Sequence, residues 1–478
     1  MSEYLSIIPK PASIKYNEGF FKSDGLPQLE KKERALSNLP ASCGLSGEAY
    51  RLIIEKDKIT AEASSSAGMR NGAETFRQLT LSEYKDGVLT LPCAEITDFP
   101  RFSWRGFMLD CSRYFYSAAF IKNLLDVLSL HHINKFHWHL TDDQGWRFNV
   151  SGYPLLAEIG SFRKNYRVRR QPPSGGVYSR EEILDVINYA SCRNIEIIPE
   201  VDFPGHASAV LASYPELGCT GGPYEVEERF GIFEDVLCAG NDRIFDLFEK
   251  VLDTLADLFP SKWVHIGGDE VLSDRWEACP KCGNRLNETG LKKPPQLQSW
   301  ITLRLVKMLA ERGKTAVGWD EILEDTDLYK LPKEAAVMSW RGNEGGIKAA
   351  NLGHYVIMSP STNGCYLDYK HLDTREEPGA FHAGGATVYA SYSMDPVPPL
   401  INEENAKYIL GGQGNLWSEL IYAGKIAEYM IFPRLCALSE AFWTPKEEKN
   451  FEDFENRLNA HRQRLDKLGI NQYRGPLR

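Results

Sequence analysis

Residues 263–270 read Trp-Val-His-Ile-Gly-Gly-Asp-Glu: a short apolar run, two glycines, then two adjacent carboxylates. Apolar residues first and polar residues last is the pattern of a buried parallel strand that opens into a loop. The pattern returns upstream at 194–206 (NIEIIPEVDFPGH), 135–143 (KFHWHLTDD) and 105–112 (RGFMLDCS). Downstream it returns at 315–321 (TAVGWDE), 335–340 (AAVMSW), 354–360 (HYVIMSP) and 408–419 (YILGGQGNLWSE). Stretches of helical spacing separate most of these runs, at 118–132, 180–192, 241–258, 293–312 and 344–352; two more follow, at about 425–441 and 449–468. Eight strands alternating with helices predict an α/β fold closed into a (β/α)8 TIM barrel. The long segments 144–179, 207–240 and 361–407 are then loops over its mouth.

Residues 1–97 follow another rule. Tyr50, Leu52 and Ile54 alternate, as do Ile59, Ala61 and Ala63, with a turn at Lys56–Lys58 between them, which predicts a hairpin. Met69, Ala73, Phe76 and Leu79 have helical spacing, and Val88 to Ile96 reads as a further strand. The expected organisation is a small α+β domain over 1–97, followed by a catalytic barrel over 98–478 with long βα loops.

Composition narrows the function. Of the 478 residues 25% are charged and 43% hydrophobic, which fits a globular chain and excludes disorder or coiled coil as a whole-chain reading. Fifty-five Lys and Arg against 65 Asp and Glu leave a formal charge of −10, so the basic footprint of nucleic-acid binding is missing. No uninterrupted apolar window reaches the ~18 residues of a membrane span. The first residues, MSEYLSIIPKPASIKY, lack a charged segment followed by a long apolar one, so the expected location is cytoplasmic. The ten cysteines read as buried thiols rather than a disulfide framework. Cys279 and Cys282 form one CxxC with no second pair close after it, so no metal is expected there.

The barrel rule gives the chemistry a place. Active sites of such barrels lie at the C-terminal ends of the strands. Asp110, Asp142, Asp143, Glu200, Asp202, His206, Asp269, Glu270, Asp320, Trp340 and Glu419 all fall there by sequence position. Asp269 and Glu270 form the sharpest pair. Adjacent like charges and partial desolvation push one carboxyl pKa upward, so one group can serve as an acid while the other stays ionised. That division suits glycosidic bond cleavage. Opposed carboxylates ~5–5.5 Å or ~6.5–9.5 Å apart are the usual arrangement, and consecutive residues are an awkward source of either. A substrate whose own 2-acetamido group attacks the anomeric carbon removes the difficulty. A second reading stays open: His137-Trp138-His139 is an HxH on a strand, with His206 and His265 on later ones, and such imidazoles suit a metal-dependent barrel hydrolase. Against it, the other strand ends carry tryptophans and carboxylates.

Seven segments match one family in family order: HWHLTDDQGWR (137–147), PEVDFPGH (199–206), HIGGDE (265–270), VGWDE (317–321), SWRG (339–342), YLD (366–368) and GNLWSE (414–419). On these the chain resembles glycoside hydrolase family 20, the β-N-acetylhexosaminidases, over nearly its whole length. The resemblance implies an exo-acting, retaining enzyme that removes terminal GlcNAc or GalNAc from glycans or glycoconjugates through an oxazolinium intermediate, without a cofactor or metal. It implies Glu270 as general acid/base and Asp269 as the group that holds the acetamido N–H. Tyr366 would bind the acetamido carbonyl, and Trp319, Trp340 and Trp417 would wall its methyl. Arg113, Asp368 and Glu419 would bind the sugar hydroxyls, and His206, backed by Asp142, would tune the acid. Tyr114 departs from the histidine that many members carry after the arginine. Sugar epimer, aglycone and oligomeric state are not readable from the sequence.

Overall fold

The computed structural model describes residues 5–36, 46–164, 174–326, 328–372, 374–382 and 385–478. Eight parallel strands close a barrel in chain order: Trp104–Asp110, Lys135–His139, Glu196–Glu200, Trp263–His265, Thr315–Trp319, Ala336–Ser339, Val356–Met358 and Ile409–Leu416. Each overlaps one of the runs picked out from the sequence. They are called the first to eighth strands below. Inward residues fill the barrel in layers. Trp104 and Trp263 meet edge to face at 6.0 Å near the base, and Ile198, Val317, Met338 and Ile357 join them. Trp319 stands above these, and Trp340 and Trp417 lie at the top.

Helices Ala118–Leu130, Arg180–Ser191, Arg243–Leu258, Gln296–Glu311 and Glu344–Asn351 lie where helical spacing placed them. Their starts are chemically marked. Ser117 accepts from the Phe120 N–H, and Ser179 and Glu182 form a reciprocal capping box, each cap contributing about 1 kcal/mol. The single helix expected at about 425–441 is instead two, Gly424–Ile431 and Arg434–Trp443. Pro433 separates them because it has no N–H to give to the helical ladder.

The small domain is a sheet with strand order Ser13–Asp24, Val88–Asp98, Tyr50–Ile54, Ile59–Ala63, Glu30–Glu33, plus a short Tyr84–Lys85 strand beside Val88–Asp98. The hairpin and the 88–96 strand match the sequence reading, and helix Ser66–Glu83 packs on this sheet. Three strands were not expected: Ser13–Asp24, Glu30–Glu33 and the two-residue Tyr84–Lys85. In Ser13–Asp24 only Phe21 is buried, and Glu30–Glu33 is exposed throughout, so neither carries an apolar alternation. The charges of Glu-Lys-Lys-Glu protect an open sheet edge.

Another expectation is corrected. Cys279 and Cys282 do not stand alone: Cys219 and Cys238 come from an earlier loop to join them.

Asp98, the last residue of the sheet, joins the two units. Its buried carboxylate accepts from Tyr50 Oη (2.7 Å), Trp443 Nε1 (2.9 Å) and the backbone N–H groups of Ala12 (2.9 Å) and Phe99 (3.0 Å). Burial still pushes its pKa up to about 6. Beside it Arg105, at the start of the first strand, pairs with Glu48 at 2.6 Å and lies over the Trp443 ring. Asp98→Ala strands four donors, two of them fully buried, so stability should fall by roughly 3 kcal/mol. Trp443→Phe, which removes one donor, should lower it less. Urea denaturation of both variants measures the difference, and a loss below about 1 kcal/mol for Asp98→Ala would refute the assignment.

Candidate active site

The fourth strand stops at His265, and the chain then turns sharply through two left-handed glycines, Gly267 (φ 65°) and Gly268 (φ 94°). A Cβ at Gly267 would lie 1.8 Å from Asp202 Oδ1, so no other residue fits. Asp202 Oδ1 in turn accepts the Gly268 N–H at 2.9 Å, and Gln298 Nε2 holds the Gly268 carbonyl at 2.6 Å. This turn delivers Asp269 and Glu270 to the mouth of the barrel. Asp269 is buried, and its Oδ1 has no hydrogen-bond partner among the described residues. Burial, then the neighbouring Asp202, raises its pKa well above that of an ordinary carboxyl. Glu270 takes a left-handed backbone (φ 52°) and keeps part of its side chain exposed.

His206, also left-handed (φ 44°), stands opposite on the loop after the third strand. Its Nδ1 lies 3.0 Å from Asp143 Oδ2 and 3.3 Å from Asp142 Oδ1; its Nε2 faces Glu270 at 3.5 Å and Asp269 at 3.8 Å. Burial opposes the imidazolium, but Asp142, Asp143 and Glu270 outweigh it and raise the His206 pKa well above the usual value. His206 thus stands between the two carboxylates and the acids behind it, in surroundings that favour its protonated form.

The opposite wall is aromatic. Trp340 stacks on Tyr366 with centroids 6.2 Å apart and planes 14° apart, and Trp417 closes the corner 6.5 Å from Tyr366. The Tyr366 loop is pinned to the eighth strand by Leu367 N–H to Asn415 O (2.7 Å) and Asn415 N–H to Cys365 O (2.8 Å). The polar floor is Arg113, whose guanidinium lies over the Trp417 ring at 5.0 Å. Asp142 (2.8 Å), Asp110 (3.3 Å) and Gln144 (2.9 Å) hold it in one orientation, with Glu419 at 3.9 Å. Asp368 is buried, its Oδ1 has no hydrogen-bond partner among the described residues, and burial raises its pKa. Together these groups enclose a cleft of about 250 Å³.

Nine of the residues chosen from the sequence line this cleft: Glu270, Asp269, Tyr366, His206, Arg113, Trp340, Asp368, Trp417 and Glu419. Asp142 stands one layer behind, holding Arg113 and His206. Trp319 has no exposed surface and reaches the cleft through Trp417, 5.8 Å away. Glu200, expected at the rim, is fully buried below it. Asp110 and Asp320 are buried too, Asp110 accepting the Ser112, Arg113 and Ser418 N–H groups. His137 and His139 are fully buried and turned toward Glu200; both ring nitrogens of His139 are occupied, by Glu200 and by Asp142 at 3.0 Å. Neither histidine lines the cleft, as the metal-hydrolase reading required.

Asp202, expected at the rim, and two residues absent from the sequence choice, Glu321 and Tyr369, also bear on the site. Asp202 shares its hydrogen-bonding environment with Asp269, and burial pushes its pKa up to about 7. Glu321 accepts from Trp340 Nε1 at 3.0 Å and is raised to about 9 by burial and by Asp269. Tyr369 joins the lining beside Tyr366.

The model of the glycosyl hydrolase family 20 catalytic domain matches residues 102–446, and that of the family's domain 2 matches 27–99. The chain belongs to glycosyl hydrolase family 20. It is 42% identical over 438 residues to a beta-hexosaminidase of Porphyromonas gingivalis, covering 91% of this chain and 55% of that one. The chain thus spans about half the length of this relative. A beta-hexosaminidase of Akkermansia muciniphila is 31% identical over 96% of this chain and 90% of its own length. Among solved structures, an exo beta-N-acetylglucosaminidase from Vibrio harveyi in complex with N-acetylglucosamine superposes with a TM-score of 0.87 at 31% identity, over 98% of this chain and 78% of that one. A mutant Streptomyces plicatus beta-hexosaminidase in complex with its product, GlcNAc, gives 0.85 at 28% identity, over 99% and 97%.

The Asp202–Asp269 pair makes a pH prediction. A carboxyl whose folded pKa is raised holds its proton more tightly folded than unfolded. Its contribution is complete below about pH 4, the unfolded value, and is lost as pH rises through the folded value. With Asp202 at about 7, wild-type stability should fall between about pH 4 and 7 by an amount on the order of a few kcal/mol. Asp202→Asn should flatten that slope. Chemical denaturation at pH 5 and pH 8 compares the two proteins, and equal slopes would show that the pair does not share a proton.

Proposed function

We propose that the chain is an exo-acting, retaining β-N-acetylhexosaminidase that removes terminal GlcNAc or GalNAc by substrate-assisted catalysis. The observation that carries this reading is Asp269 Oδ1: a buried carboxyl oxygen with no hydrogen-bond partner among the described residues, beside Glu270 in a cleft with an aromatic wall. A buried acceptor left unserved costs free energy that a ligand donor can recover. The acetamido N–H of an N-acetylhexosamine is such a donor, and its methyl suits the wall of Trp340 and Trp417. Relatives crystallised with N-acetylglucosamine support the same substrate class. A cleft of about 250 Å³ suits one sugar ring rather than a chain, which favours attack at a terminus.

In this reading Glu270 gives its proton to the glycosidic oxygen as the bond to the anomeric carbon breaks. The acetamido carbonyl oxygen, held by the Tyr366 hydroxyl, attacks that carbon from the other face. Asp269 accepts the N–H, and the positive charge that develops on the resulting oxazolinium ring offsets the burial that raises its pKa in the free protein, so the ionised form is favoured as the ring forms. Water then attacks the anomeric carbon while Glu270 takes its proton, so two inversions give net retention. The aromatic wall keeps bulk water from the intermediate. Arg113, already fixed by Asp142 and Asp110, presents its planar fork to adjacent sugar hydroxyls without further ordering. Asp368 and Glu419 accept from the remaining hydroxyls.

Aryl β-GlcNAc and β-GalNAc should be hydrolysed while the matching β-glucoside, which lacks the internal nucleophile, is not. Comparable turnover of the β-glucoside would sink substrate assistance.

The two carboxylates separate in a rate series across leaving-group pKa. Glu270→Gln removes the acid, worth ~10²–10⁴-fold, so poor leaving groups should suffer far more than nitrophenol. Asp269→Asn should slow even nitrophenyl substrates, and azide should rescue Glu270→Ala but not Asp269→Asn. A steeper leaving-group dependence for Asp269→Asn would reverse the two roles.

A further inference from the structure

Outside the cleft, four cysteines from two different loops converge. Cys219 and Cys238 lie on the loop that follows the third strand; Cys279 and Cys282 lie on the one that follows the fourth. Three are buried and Cys219 is partly so. Cys219–Cys282 and Cys238–Cys279 are 3.8 Å apart, Cys238–Cys282 is 3.6 Å, and all four sulfurs lie within 4.8 Å of one another. A disulfide needs ~2.05 Å and joins sulfurs in exclusive pairs. Here Cys238 and Cys282 each touch two partners. Zinc bound by thiolates at ~2.3 Å in a tetrahedron places the sulfurs about 3.8 Å apart, which is the spacing seen.

The local backbone is also shaped for thiolates. The CxxC reads Cys279-Pro280-Lys281-Cys282-Gly283. Pro280 opens helix Pro280–Thr289, so Cys282 falls in the first turn, where backbone N–H groups favour negative charge. The Gly240 backbone N–H adjoins Cys238 and Cys282 and favours the thiolate form of each. A Cβ at Gly240 would meet the Lys281 backbone at 2.2 Å, so the two loops touch main chain to main chain at this point.

We propose that Cys219, Cys238, Cys279 and Cys282 form a structural tetrahedral site for one zinc ion. Binding converts four thiols to thiolates, releases their protons and leaves a dianionic centre with no open coordination position, so the ion takes no part in hydrolysis. Its effect is mechanical. The third-strand loop carries Asp202 and His206, the fourth-strand loop carries Asp269 and Glu270, and the ion ties the two together. This inference stands independently of the hydrolase reading.

The test begins with the native protein, purified without a metal-affinity resin. Elemental analysis should find about one zinc per chain, and the four thiols should react with a thiol reagent only as zinc is released to a chromogenic chelator. Cys238→Ser should lose the metal, while Cys192→Ser, an exposed cysteine outside the cluster, should keep it. Protein refolded in cobalt should show the absorption of a tetrahedral thiolate complex. Bound iron in place of zinc, disulfides among the four, or four freely reactive thiols in protein refolded with excess zinc would each overturn the proposal. These readouts do not depend on whether a cysteine variant folds.

Discussion

The site rests on one buried carboxylate. Glu200 ends the third strand beneath the cleft and has no solvent exposure. Ring nitrogens surround it: His137 Nε2 at 2.9 Å, His265 Nδ1 at 2.8 Å, Trp319 Nε1 at 3.0 Å and His139 Nδ1. A buried charge without such partners would cost several kcal/mol. Burial favours the neutral acid, but the three histidines reverse the preference and hold the pKa well below the ordinary value. Each partner then passes the constraint upward. His139 fixes Asp142, which fixes Arg113 and His206. His265 sits two residues before the glycine turn that presents Asp269 and Glu270. Trp319 supports Trp417. The orientation of the whole mouth is thus set from a point no substrate touches.

The barrel was legible because seven of the eight strands end their apolar run at a carboxylate, histidine or tryptophan; the seventh ends at Ser359-Pro360. Eight such runs in alternation with helices leave few other topologies. The edge strands of the small sheet were not legible, since Glu30–Glu33 buries nothing and Ser13–Asp24 buries only Phe21. Pro433 was visible, yet the helical spacing on both sides of it masked the break.

The cleft residues were legible as strand-end residues and as motif matches. What the sequence does not contain is depth. Glu200, Asp202, Asp269 and Glu321 are all carboxylates near strand ends, and only packing assigns one to the plug, one to the cleft and two to the layer between. The cysteine cluster was hidden for another reason. Cys219 and Cys238 precede Cys282 by 63 and 44 residues, and a single cysteine carries no local pattern.

Glu270 and His206 both occupy backbone conformations that L-residues adopt at a cost of ~1 kcal/mol or more and that glycine adopts freely. Replacing either with glycine would relieve that strain while deleting the acid or its histidine neighbour. At Glu270, whose side chain is partly exposed, stability and turnover therefore pull in opposite directions; at His206 the loss of the partner to buried Asp142 and Asp143 outweighs the relieved strain. A lineage released from selection at this cleft would relax at Glu270 first, where glycine removes the strain and leaves His206 paired with Asp142 and Asp143.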